Sequence, residues 1–135
     1  MVRINKNHIE SKELDRLFQQ CAFILAPHNT KHAHNVLQDL LGFEERLTIA
    51  KRIATIVLLL ENVSNYRISL HLKLSQSTVA AIQAKLVAGG YSSIITSLGK
   101  NKKDYFKVLT VLDSVLHLGG MLPHYNGIDR YKYSN

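Results

Sequence analysis

The sequence predicts an all-α protein. Apolar residues recur at helical spacing along almost the whole chain, no stretch sustains the alternation of a half-buried strand, and capping and stopping residues fall between the periodic segments. With 46% hydrophobic and 20% charged residues in a chain of 135, the composition is that of a folding chain, and the size predicts one domain with one core.

The elements follow in order. Ser11 is placed to cap a first helix with Glu13 in its first turn; Leu14, Leu17, Phe18, Cys21 and Leu25 then form one stripe, and Pro27 stops it. Asn29 or Thr30 opens a second helix with a seam of Val36, Leu37, Leu40 and Leu41, for which Gly42 is a terminator. Glu44 and Glu45 favour the positive end of a third helix over about residues 44–61. Its second half, Ile53 to Leu60, is apolar nearly all round, which predicts burial on several sides and, in so small a chain, a share of that surface facing a second subunit. Past the segment 64–86, treated below, a short element runs from Tyr91 to Leu98 and a basic link follows, Gly99-Lys-Asn-Lys-Lys103. A last helix is expected over about 104–118. Tyr105, Val108, Leu109, Leu112 and Leu116 mark one face of it, and Phe106, Val111, Val115 and Leu118 widen that face beyond what one neighbour would cover. The broad faces of the third and last helices predict an obligate homodimer. Residues 1–118 are thus expected to form one helical domain, with 119–135 a tail containing Pro123, Gly127 and three tyrosines.

Charge points to the partner. The formal net charge is +7, and residues 62–110 hold seven basic residues against Asp104 alone, whereas residues 1–61 are nearly neutral. A polyanion or anionic surface is the expected partner class. Cys21 is the sole cysteine, which excludes an internal disulfide framework and favours a reducing compartment. No apolar run is long enough to span a bilayer, and no charged-then-apolar leader opens the chain; the expected location is the cytoplasm, in association with the nucleoid.

The basic excess coincides with the most informative segment. Read as two short helices joined by a tight turn, residues 64–86 put Ile68 and Leu72 inward on the first helix, Leu74 in the turn, and Val79 and Ile82 inward on the second. The small Ser69 stands where the helices cross, and Ser64 and Ser75 are placed to cap them. This is the pattern of a DNA-binding helix-turn-helix, whose second helix enters the major groove with its N-terminal residues at the base edges. The turn position that usually holds glycine is Lys73, at a cost of roughly 1–2 kcal/mol for a left-handed conformation. The candidate base contacts are Ser75, Gln76, Ser77, Ala80 and Ala81, with Gln83 further along; Gln pairs with adenine and Ala meets a thymine methyl. Arg67, His71, Lys73 and Lys85 are the candidate phosphate contacts.

Leu40-Leu-Gly-Phe-Glu-Glu-Arg46, Arg52 to Leu60, the helix-turn-helix and Gly89-Gly90-Tyr91 together resemble the Trp repressor superfamily, most closely its Trp-repressor-like bacterial branch, over about residues 36–95. The resemblance implies an all-helical, intertwined homodimer that acts as a sequence-specific transcriptional repressor, with two recognition helices in successive major grooves of a pseudo-palindromic operator. It also implies an effector pocket, with tryptophan held between an arginine matched by Arg52 and one on the recognition helix, where this chain has Ala81. The repressors' following glycine is Ile82 here. With the second guanidinium absent and Ile82 crowding the indole site, tryptophan is not the expected effector, and no cofactor is expected.

Other constellations are weaker. His28 and His32 have the spacing of paired metal ligands, but Pro27 and the cap after it set His28 outside the helix and no Cys or carboxylate cluster joins them, so no metal site is expected. Cys21 falls on the apolar stripe of the first helix, where an inert thiol is expected. No phosphate-binding glycine loop or paired-carboxylate site is present, and an enzyme is disfavoured. Two alternatives to a regulator stay open: a dimeric protein-interaction module that has lost base readout, motivated by Ala80 and Ala81, and an accessory DNA-binding factor in replication or transposition.

Overall fold

The computed structural model describes residues 10–26, 29–100 and 102–116. These are all helical in character: seven α-helices and one 3-10 helix, with no strand among the described residues. They belong to two compact units that divide between Ile49 and Ala50, a point within the third helix.

The first unit contains α1 (Ser11–Cys21), a 3-10 helix (Ala22–Ile24), α2 (Thr30–Leu40) and the start of α3 (Phe43–Leu60). Glu10 rather than Ser11 is the N-cap of α1, because the Leu14 amide already closes on the Glu10 carbonyl at 2.9 Å; Ser11 is the first helical residue and no side chain caps this end. Of the two candidates, Asn29 caps α2, its side chain accepting from the His32 amide at 2.9 Å, and Thr30 is the first helical residue. Gly42 does not end α2 in a left-handed conformation. Leu41 leaves the helix in an extended conformation, and the Gly42 amide donates to the Glu45 carboxylate at 3.0 Å, so Gly42 opens α3 in half of a capping box. No residue of α1, the 3-10 helix or α2 is buried. Leu14, Leu17 and Phe18 form their stripe on α1 but are exposed, as is Cys21; the α-helix ends at Cys21, short of the expected stop at Pro27, so Leu25 falls past the 3-10 helix, also exposed.

The second unit holds the core. Ala54 to Leu60 of α3 are all buried, and one hydrophobic cluster joins them to Ile68, Leu72, Val79, Ile82, Leu86, Ile95, Tyr105 and Leu109. These partners come from α4 (Asn65–Leu72), α5 (Gln76–Val87), α6 (Ser92–Gly99) and α7 (Lys102–Leu116). Four short helices therefore surround one apolar helix within a single chain. The surface of residues 54–60, whose apolar breadth suggests a second subunit, is already covered, and Ile53 alone of that run stays exposed. Thr55, fully buried, satisfies its hydroxyl by donating to the Lys51 carbonyl one turn back, at 2.8 Å.

Left-handed residues follow α3, α4 and α5: Asn62, Lys73 and Gly89. α3 ends at Leu60 and is closed off by Asn62, with φ of 62°, where the Asn62 and Val63 amides return to Leu59 and Leu58 and Val63 is buried behind them. α7 stands on the core by Tyr105 and Leu109, with Val108 and Leu112 packed beside them; the Tyr105 hydroxyl donates to the buried Glu61 carboxylate at 2.6 Å. Phe106, Val111 and Val115 are exposed. The side chain of Leu116, together with Pro27, His28, Leu118 and the expected tail with Tyr125, Tyr131 and Tyr133, lies outside the described residues. No described helix is long and apolar enough to cross a membrane.

Candidate nucleic-acid interface

α4 and α5 form the pair that the sequence predicts, with boundaries within a residue or two of those expected. Ser64 caps α4, accepting from the Arg67 amide at 3.3 Å, and Ser75 caps α5, accepting from the Thr78 amide at 3.1 Å. Between them lie only Lys73, Leu74 and Ser75. Lys73 adopts the left-handed conformation that a glycine usually supplies, φ 53° and ψ 48°, and the Leu74 amide returns to the Ser69 carbonyl at 3.1 Å. Ser69 is buried at the crossing, and its hydroxyl donates to the Tyr66 carbonyl at 2.7 Å. Ile68, Leu72, Val79 and Ile82 are buried, and Leu74 packs on them from the turn. A further bond ties the helices on their outer side: the Asn65 amide group donates to the Gln83 carbonyl oxygen at 2.7 Å.

This packing decides which side chains face solvent. Gln76, Ser77, Ala80 and Ala81 are exposed at the start of α5, and Arg67, Lys73 and Lys85 are exposed around the pair, with His71 partly buried. Ser75 differs from its fellows. Its hydroxyl lies 2.7 Å from that of Thr78 and 3.1 Å from that of Ser77, besides capping the helix, so its first role is to hold the start of α5. Gln83 likewise spends its carbonyl oxygen on Asn65.

Lys85 is the most constrained cation of the set. α5 ends in a double turn: the Gly89 amide returns to Leu86 at 3.1 Å and the Gly90 amide to Lys85 at 2.9 Å, with Gly89 at φ +82°. Gly90 matters for a separate reason: a Cβ built there would meet Lys85 Cγ at 2.5 Å and Cε at 2.9 Å, so the lysine stem would have to move. The lysine stem therefore lies across the glycine, and its ammonium sits 4.8 Å from the ring centre of the buried Tyr91. Gly90 and Tyr91 position Lys85, a role that residue type alone does not disclose.

Arg52, the residue singled out for an effector pocket, borders a cleft of about 510 Å³ together with Ser77, Thr78, Ala81, Ile82, Lys85 and Tyr91. Two cations, Arg52 and Lys85, and three hydroxyl-bearing residues, Ser77, Thr78 and Tyr91, line it, and no carboxylate does. Ala81 and Ile82 stand on its wall, where the resemblance asks for arginine and glycine. Among the described residues no group of His, Cys, Asp or Glu is arranged to hold a metal ion. His32 is engaged with the Ile24 carbonyl at 3.3 Å, and His28 lies outside the described residues.

Comparison of the chain with protein-family models, with curated proteins and with solved structures returns no match.

Proposed function

We propose that the protein is a DNA-binding transcriptional regulator of the repressor type, with α4 and α5 as its helix-turn-helix and α5 as the recognition helix. The observation that carries this reading is the solvent face of the pair. A packed, capped two-helix unit presents short polar and apolar side chains at the N-terminus of its second helix and cations around them, where base edges and phosphates would lie. Gln76, Ser77, Ala80 and Ala81 meet the bases in this reading, while Arg67, His71, Lys73 and Lys85 neutralise phosphates. The Trp-repressor-like resemblance adds a homodimer that presents two such helices to two half-sites. The apolar surface available for that dimer includes the exposed stripe of α1 and its neighbours, Leu14, Leu17, Phe18, Phe23 and Leu40 among them, and the exposed Phe106, Val111 and Val115 of α7, rather than residues 54–60. Ala81 and Ile82 on the wall of the cleft beside Arg52, in place of arginine and glycine, favour an effector other than tryptophan.

Gel-shift titration of the full chain against random and genomic duplex at two salt concentrations tests the reading. The expected outcome is binding that falls steeply with salt and is strongest on one sequence class. Absence of binding at low salt would favour the interaction module, to which Ala80 and Ala81 on the exposed face also lend themselves.

A further inference from the structure

The lysines that open α7 belong to none of the groups described above. Lys100, Lys102, Lys103 and Lys107 fall within eight residues, all exposed, with Asp104 as the one acid among them. Asp104 bridges Lys107 at 3.8 Å, with both side chains largely in solvent, so the pair contributes little to stability and leaves the local excess positive. Two of these lysines occupy the first turn of the helix, where the positive end of the dipole disfavours cations. Helix formation does not account for them.

The helix holds them outward. Tyr105 is buried against Glu61, and Lys103 and Lys107 stand two positions before and after it, each about 200° around the helix from that buried side chain. Their position along the chain is also set. Tyr91 carries the Lys85 ammonium on its ring, and α6 begins at the next residue and runs for eight. Such a helix spans roughly 12 Å, so Lys100 lies on the order of 15 Å from Tyr91. Duplex DNA presents one phosphate charge per roughly 1.7 Å of axis, and that separation corresponds to about half a helical turn.

We propose that the lysine cluster at the start of α7 is a second anchor for the phosphate backbone of duplex DNA, flanking the bases that α5 reads. The assignment rests on the helix-turn-helix reading. It gives residues 100–107 a role of their own, and it lengthens the duplex that the protein covers without adding sequence preference, because phosphates carry none.

The test is a fluorescence-anisotropy titration of the full chain on long random-sequence duplex across a range of salt concentrations. Three variants are compared with wild type: the triple Lys100→Gln, Lys103→Gln, Lys107→Gln; the same positions changed to Arg; and Asp104→Asn. The glutamine triple is expected to keep the wild-type helical content and to flatten the slope of log K against log salt by about 0.9 for each phosphate that is no longer neutralised. The arginine triple should keep the slope, and Asp104→Asn should tighten binding at low salt. If the glutamine triple binds as wild type while Lys85→Ala weakens binding, the cluster is only solvated surface and the proposal fails, with the helix-turn-helix reading intact. If wild type binds no duplex at low salt, that reading fails and takes this one with it. Lysine-dependent binding to vesicles of anionic lipid that is tighter than to duplex would also overturn the proposal.

Discussion

Residues 10–49 and 50–116 place apolar side chains at the same helical spacing, yet only the second stretch buries any of them. Every buried hydrophobic residue among those described lies between Ala54 and Leu109, whereas α1, the 3-10 helix and α2 bury none. Amphipathic spacing thus specifies a helix and says which side is apolar, but not what covers that side. Covering requires neighbours. α3 obtains them from four short helices that return upon it, while α1 presents Leu14, Leu17 and Phe18 to solvent in the single chain.

The sharpest way to break this contrast is to remove core volume. Leu60→Ala should lower the unfolding free energy by about 2–5 kcal/mol, since a fully buried leucine leaves a cavity in a close-packed cluster. Denaturant unfolding of the two proteins checks it, and a change below about 1 kcal/mol would mean that the cluster packs loosely. Phe18→Asp addresses the other stretch. If a second copy covers α1, sedimentation should show the variant as a monomer where wild type is a dimer, with the stability of residues 50–116 unchanged.

Smaller effects sharpen the account of the second stretch. Tyr105→Phe removes a donor from a carboxylate that is 5% exposed, and a destabilisation of about 1–3 kcal/mol is expected in thermal unfolding. Gly90→Ala should change stability less but push the Lys85 stem aside, so its signature is a flatter salt dependence of DNA binding that resembles Lys85→Ala. Lys73→Gly, the mildest, should raise stability by up to about 1 kcal/mol by relieving the left-handed lysine, while weakening DNA binding because a cation is removed. Opposite signs in the two assays would separate the turn's strain from its charge.

Much of the second stretch is legible in the sequence because its signals are local. The serine caps at 64 and 75, the inward Ile68, Leu72, Val79 and Ile82, and the left-handed turn at Lys73 each follow from residue type and spacing over a few positions. What escapes is the part that depends on long-range packing. Residues 54–60 look too apolar for one chain to cover, because the sequence does not show that four later helices converge on them. The Glu61 to Tyr105 bond spans 44 residues and leaves no local trace. Gly42 illustrates a different limit: a glycine between two helices serves equally as the end of one or the start of the next, and only Glu45 three residues on points to the latter. At the candidate interface, Gly89-Gly90-Tyr91 is visible as a motif, but its service to Lys85 emerges only from the lysine stem lying over Gly90.

The central claim is that α5 reads bases while the cations around it hold phosphates. Its most direct test is a salt-series titration of the full chain against a preferred duplex, obtained by selection from random sequence, and against a scrambled one. Gln76→Ala should cost about 1–3 kcal/mol on the preferred duplex and little on the scrambled one. Lys85→Ala should weaken both alike and flatten the salt slope by about 0.9. If both variants bind as wild type while a chain truncated after Leu118 no longer binds, the affinity resides in the tail and the assignment of α5 as recognition helix is wrong.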